Sequence, residues 1–168
     1  MADPTTRANV IDDLWRILRT VPDPEIPVIS IVDLGIVRDV IAGTNPVVVI
    51  TPTYSGCPAT EMIEQAVREA LDSGGFRDAR IRTEIHPPWT TDWISEEGRR
   101  KLREYGIAPP VEGGSGGRSL FTAAGLSIAC PRCGSTETVR VSEFGSTPCK
   151  AHYRCQACAE PFDYFKCL

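Results

Sequence analysis

Six of the seven cysteines in this 168-residue chain fall within its last 39 residues. Four of them form two CxxC pairs, Cys130-Pro131-Arg132-Cys133 and Cys155-Gln156-Ala157-Cys158, separated by 21 residues. Two such hairpins can bring four thiolates to the corners of a tetrahedron, the arrangement structural zinc prefers. Thr138–Phe144 between them alternates like a strand, so the tail reads as a zinc ribbon with Cys130, Cys133, Cys155 and Cys158 as ligands. Residues 120–168 are too few to build a sufficient apolar core unaided, and a metal staple supplies what the core lacks. Four free thiols would leave that tail both oxidisable and unsupported. Iron suits the same four sulfurs, and spacing does not distinguish it from zinc. An odd cysteine count behind an N-terminus with no apolar signal core argues against a disulfide framework and for the cytoplasm.

Three thiols remain. Cys149 follows Pro148 in a Gly-Ser-Thr-Pro loop and Cys167 is one residue from the end of the sequence. Each reads equally as a packed apolar thiol or as an auxiliary thiol beside the metal. His152 could replace a ligand, although a surface or packing role suits it better. Cys57 stands alone in Tyr54-Ser55-Gly56-Cys57-Pro58, between an expected strand and an expected helix. The N–H groups and positive end of that helix would favour its thiolate, making a nucleophile or soft-metal ligand, while the plain alternative is a small apolar filler.

Residues 1–108 have the pattern of a small α/β unit. Val10, Leu14, Ile17, Leu18 and Val21 recur at helical steps within Thr5–Thr20, and Pro22, Pro24 and Pro27 end that helix. Ile36–Ile41 and the β-branched run Val47–Thr51 predict two strands around a turn at residues 42–45. Pro58 opens a helix to Asp72, stopped by Ser73-Gly74-Gly75. Residues 79–85 alternate as a strand with one wet face, and Ser95 caps a helix through Tyr105 that Gly106 closes. Residues 109–119, with Gly113-Gly114-Ser115-Gly116-Gly117, read as a flexible linker before the ribbon at 120–168. The expected class is therefore α+β.

Charge removes several functions. Residues 1–108 carry 12 Lys/Arg against 17 Asp/Glu, and residues 120–168 carry 5 against 4. Neither holds the concentrated positive charge that phosphate backbones require, so nucleic acid is not an expected partner. No apolar run is long enough for a membrane span. A Gly-rich phosphate loop, a Ser–His–Asp signature and a di-iron Glu-x-x-His pair are all missing, which disfavours a self-contained enzyme. Asp23, Glu25 and Asp33 lie in loops that could meet the Cys57 loop, and singly they read as turn residues. His86 reads as packing, while Trp89 and Trp93 beside Pro87-Pro88 either cover the sheet or dock a partner.

Asp23-Pro24-Glu25-Ile26-Pro27, Ile31-Val32-Asp33-Leu34-Gly35-Ile36-Val37 and Thr51-Pro52-Thr53-Tyr54-Ser55-Gly56-Cys57-Pro58 resemble the small domain of iron–sulfur assembly factors associated with the SUF system. With Phe144–Lys150 and Glu160–Lys166 added, nearly the whole chain resembles the D-type (or J-type) components of the phenylacetyl-CoA epoxidase system. The resemblance implies aerobic phenylacetate catabolism, an aromatic-compound degradation in which a multicomponent oxygenase forms the ring-1,2-epoxide. It implies a non-catalytic accessory or maturation subunit that assists assembly of an iron or iron–sulfur centre in an oxygenase or reductase component. Cys57 would hold that iron or cluster transiently, supported by Glu25 and Asp33, and homo-oligomers are compatible with such a role. The alternatives are a structural subunit of the oxygenase, or a thiol oxidoreductase pairing Cys57 with Cys149 or Cys167.

Overall fold

The computed structural model describes residues 4–53, 59–111 and 127–166, and the chain divides into two compact units between Trp89 and Thr90. In the first unit, α1 (Pro4–Leu18) is followed by β1 (Val37–Ile41), β2 (Val47–Ile50), α2 (Ala59–Ser73) and β3 (Arg80–Thr83). The sheet order is β1-β2-β3, with β1 antiparallel to β2 and β2 parallel to β3. Parallel neighbours need a long crossover, and α2 supplies it. Central β2 is buried along Val48, Val49 and Ile50, as an unbroken β-branched run requires. Ile63, Val67 and Leu71 form the buried stripe of α2, and Leu14 and Leu18 that of α1. A Cβ on Gly74 would lie 2.3 Å from Ile17 Cδ1, so a larger residue at the end of α2 would force the tip of the Ile17 side chain to shift.

Between α1 and β1 the chain folds back on itself. Pro22 and Ser30 form an antiparallel bridge, Asp23 N–H donates to Ile29 O at 2.9 Å, and Ile31 N–H donates to Val21 O at 3.0 Å. The prolines that end the helix thus open a tight loop in which Ile26, Ile29 and Ile31 are buried.

The second unit begins with a single 3-10 turn, Thr91–Trp93, then α3 (Glu96–Tyr105) and β4 (Ile107–Ala108). Ser95 Oγ accepts from Gly98 N–H at 2.9 Å, and Gly106 closes α3 at φ 94°, the left-handed cap that favours glycine. Buried Arg99 donates to the carbonyls of Thr91 and Pro110, tying together the segments before and after α3. The ribbon strands are β5 (Thr138–Ser142), β6 (Lys150–Cys155) and β7 (Pro161–Phe165), in a sheet ordered β4-β7-β6-β5. Ala108, Ile128, Cys130, Ala151, Cys155, Phe162 and Tyr164 form one buried cluster.

This division differs from the boundary expected at residue 108. β4 pairs in parallel with β7, Ile107 opposite Asp163 and Ala108 opposite Tyr164, so α3 and β4 belong with the ribbon. A two-residue strand leaves no periodicity in sequence, so nothing local marks it as part of the second unit. Most of the expected linker, 112–119, lies outside the described residues.

Candidate functional site

The two CxxC turns are built alike. In the first, Gly134 N–H donates to Cys130 O at 2.9 Å and Cys130 N–H donates to Ser135 O at 2.9 Å. In the second, Cys155 N–H donates to Glu160 O at 2.9 Å. Each turn is released by a left-handed residue directly after its second cysteine, Gly134 at φ 73° and Ala159 at φ 63°. The turns bring all four Sγ atoms within 4.8 Å of one another, Cys130 to Cys158 at 3.8 Å and Cys133 to Cys155 at 3.6 Å. A tetrahedron with metal–sulfur bonds of about 2.3 Å has edges of about 3.8 Å, so the four sulfurs fit one tetrahedral ion.

The local field already separates these thiols. The Cys158 N–H, directed at the Cys155 sulfur, outweighs burial and pulls the Cys155 thiol down to about 7. The Glu160 N–H pulls Cys158 in the same direction, yet burial and the neighbouring sulfurs push it up to about 12. One thiolate among four close sulfurs discourages the next, and a bound cation removes that conflict.

His152 is not part of the sulfur group. Its Nδ1 lies 3.3 Å from Asp163 Oδ1, while Ser146 Oγ donates to Asp163 Oδ2 at 3.2 Å. Sequence reasoning passes over Asp163 because no spacing rule links it to His152, but antiparallel pairing of β6 and β7 sets the two opposite each other. Cys149 is buried, with Thr147 Oγ1 3.0 Å from its sulfur. Cys57 and Cys167 lie outside the described residues.

The acids expected near the Cys57 loop are found in two adjoining turns. Asp23 Oδ1 accepts from the N–H groups of Glu25 and Ile26 at 2.9 and 2.8 Å, and Ser30 Oγ accepts from Asp33 N–H at 3.0 Å. Asp23 therefore organises the first turn, a role that sequence alone does not single out among the three acids. Thr51 N–H donates to Ile36 O at 2.8 Å, so the chain leaving β2 runs beside the end of the Asp33 turn before residues 54–58. Trp89 is buried and covers the first unit, which answers one of the two readings given for it.

Residues 11–81 match the family described as iron–sulfur cluster assembly protein, and residues 119–166 match the PaaD zinc beta ribbon domain. An Escherichia coli protein assigned as the D component of 1,2-phenylacetyl-CoA epoxidase is 50% identical over 159 residues, covering 94% of this chain and 93% of that protein. The chain belongs to the D-component family of phenylacetyl-CoA epoxidase. An Fe-S protein maturation auxiliary factor from Porphyromonas gingivalis is also a relative, 38% identical over 94 residues, covering 54% of this chain and 89% of that protein. Among solved structures, a domain of unknown function DUF59 from Bacillus anthracis is similar at TM-score 0.54 and 28% identity, over 60% of this chain and 97% of that one. The D-component family thus joins an assembly-type fold to a ribbon, the α+β architecture expected from sequence. No helix among the described residues is long and apolar enough to cross a membrane.

Proposed function

We propose that this protein is a non-catalytic maturation subunit of a phenylacetyl-CoA epoxidase system in the cytoplasm, assisting iron or iron–sulfur centre assembly in an oxygenase or reductase component. The observation that carries this reading is the match of residues 11–81, the segment containing Cys57, to iron–sulfur cluster assembly proteins within a chain of the D-component family. Cys57 falls in sequence between the end of β2 and the start of α2, and the Asp33 turn adjoins that exit. A single thiolate in that position holds iron weakly enough to release it, with a second chain or small thiol completing the coordination. Glu25 and Asp33 shape the site. The four ribbon cysteines hold zinc as a structural ion, and the ribbon docks the client.

The test compares iron content and epoxidase activity of oxygenase and reductase components co-produced with wild-type protein or Cys57→Ser. Serine matches the size of cysteine but is neither a thiolate nor a soft-metal ligand at neutral pH. Loss of iron and activity with unchanged complex formation is the expected result. Full loading and full activity with Cys57→Ser would overturn the maturation role and leave a structural subunit.

A further inference from the structure

We propose that the ribbon's metal site is peroxide-reactive and opens by forming disulfides between the two hairpins, Cys133 with Cys155 and Cys130 with Cys158. The inference rests on reading the four sulfurs as a metal site and goes beyond it to a modification that removes the ion. Its basis is the alternation of exposure around the cluster. Cys133 and Cys158 are exposed, whereas Cys130 and Cys155 are 2% and 0% exposed and belong to the ribbon's apolar cluster. A small polar oxidant therefore reaches one sulfur of each hairpin and not the other.

A buried sulfur of the opposite hairpin lies directly against each exposed one. Cys133 Sγ lies 3.6 Å from Cys155 Sγ, and Cys158 Sγ lies 3.8 Å from Cys130 Sγ. Peroxide acts as the oxidant of an exposed thiolate: its O–O bond breaks, one oxygen joins sulfur as sulfenic acid, and hydroxide leaves. The buried thiolate then forms the S–S bond, and the sulfenic oxygen leaves as a second hydroxide. Each pair gives up two electrons to one peroxide. Disulfide sulfurs are poor ligands, so the ion departs as an aqueous dication, and a dithiol reductant returns the four thiolates. Cys149 is a buried thiol outside this group and is spared.

The test uses zinc-loaded full-length chain carrying Cys57→Ser and Cys167→Ser, which retains the four ribbon cysteines and Cys149. Hydrogen peroxide is added stepwise, released zinc is read with a chromogenic chelator, and disulfides are mapped by mass spectrometry after alkylation. The expected result is release of the zinc with roughly two equivalents of peroxide consumed per ion, and Cys133–Cys155 and Cys130–Cys158 as the linkages. Disulfides within each CxxC, oxidation of Cys149 first, or sulfurs left intact at peroxide levels that oxidise free glutathione would each overturn the proposal. A chain that takes up no zinc before oxidation would overturn the metal-site reading itself, and metal analysis of the starting material separates the two failures.

Discussion

The indole N–H of Trp89 donates to the carbonyl oxygen of Leu34 at 2.9 Å, joining residues 55 positions apart. Leu34 follows Asp33 in the turn that leads to β1, and Trp89 ends the proline-rich stretch after β3. With both partners buried, this bond fixes the turn from outside the sheet. Trp89→Phe removes the donor and some volume, leaving a buried carbonyl without it. The expected cost is about 1–3 kcal/mol in urea unfolding, and a change below about 0.5 kcal/mol would show that the turn holds without Trp89.

The Asp23 turn makes a graded test. Asp23 Oδ1 receives two backbone N–H bonds, one from buried Ile26. Asp23→Ala strands both donors and should cost about 1–3 kcal/mol. Asp23→Asn keeps an accepting oxygen and should retain more of the stability. Equal losses for the two variants would mean that charge, not the turn, is what Asp23 contributes.

Ala159 offers a stabilising change. It occupies φ 63° at the position equivalent to Gly134 in the first hairpin. A left-handed alanine costs roughly 1–2 kcal/mol, partly offset by glycine's greater freedom in the unfolded chain. Ala159→Gly should therefore raise stability of the metal-bound ribbon by about 0.5–1 kcal/mol, seen as a higher chelator concentration or temperature for metal loss. A fall would show that the second hairpin does not need this conformation.

Metal removal should act on one unit. Elemental analysis should find about one zinc per chain, and chelation should abolish amide protection across β5–β7 while that of β1–β3 persists. Cys130 and Cys155 sit inside the ribbon's apolar cluster, so uncompensated sulfurs there loosen the core as well as the turns. A ribbon that keeps its protection after complete chelation would contradict a structural role for the ion.

Much of this is legible in the sequence because the signals are local. Pro-rich termination of α1, the Val47–Ile50 run, and the Ser95 and Gly106 caps of α3 each depend on residues a few positions apart. The CxxC spacing likewise brings its four sulfurs together. β6 and β7 escape such reading because they carry no clean alternation: adjacent Lys150 and Ala151 are both buried, as are adjacent Tyr164 and Phe165. The Trp89–Leu34 bond, the His152–Asp163 contact and the β4–β7 pairing join residues by tertiary register alone. Cys57 stands out by its position between strand and helix, and the serine substitution is what decides its role.

The β4–β7 pairing also sets what can be moved as a piece. A fragment cut at residue 119 would keep every cysteine of the ribbon yet leave the Asp163–Tyr164 backbone of β7 without its parallel neighbour. Raw sheet edges recruit other strands, so such a fragment invites self-association. The portable module therefore begins near Thr90, and a fusion or domain graft should carry α3 along with the metal-binding hairpins.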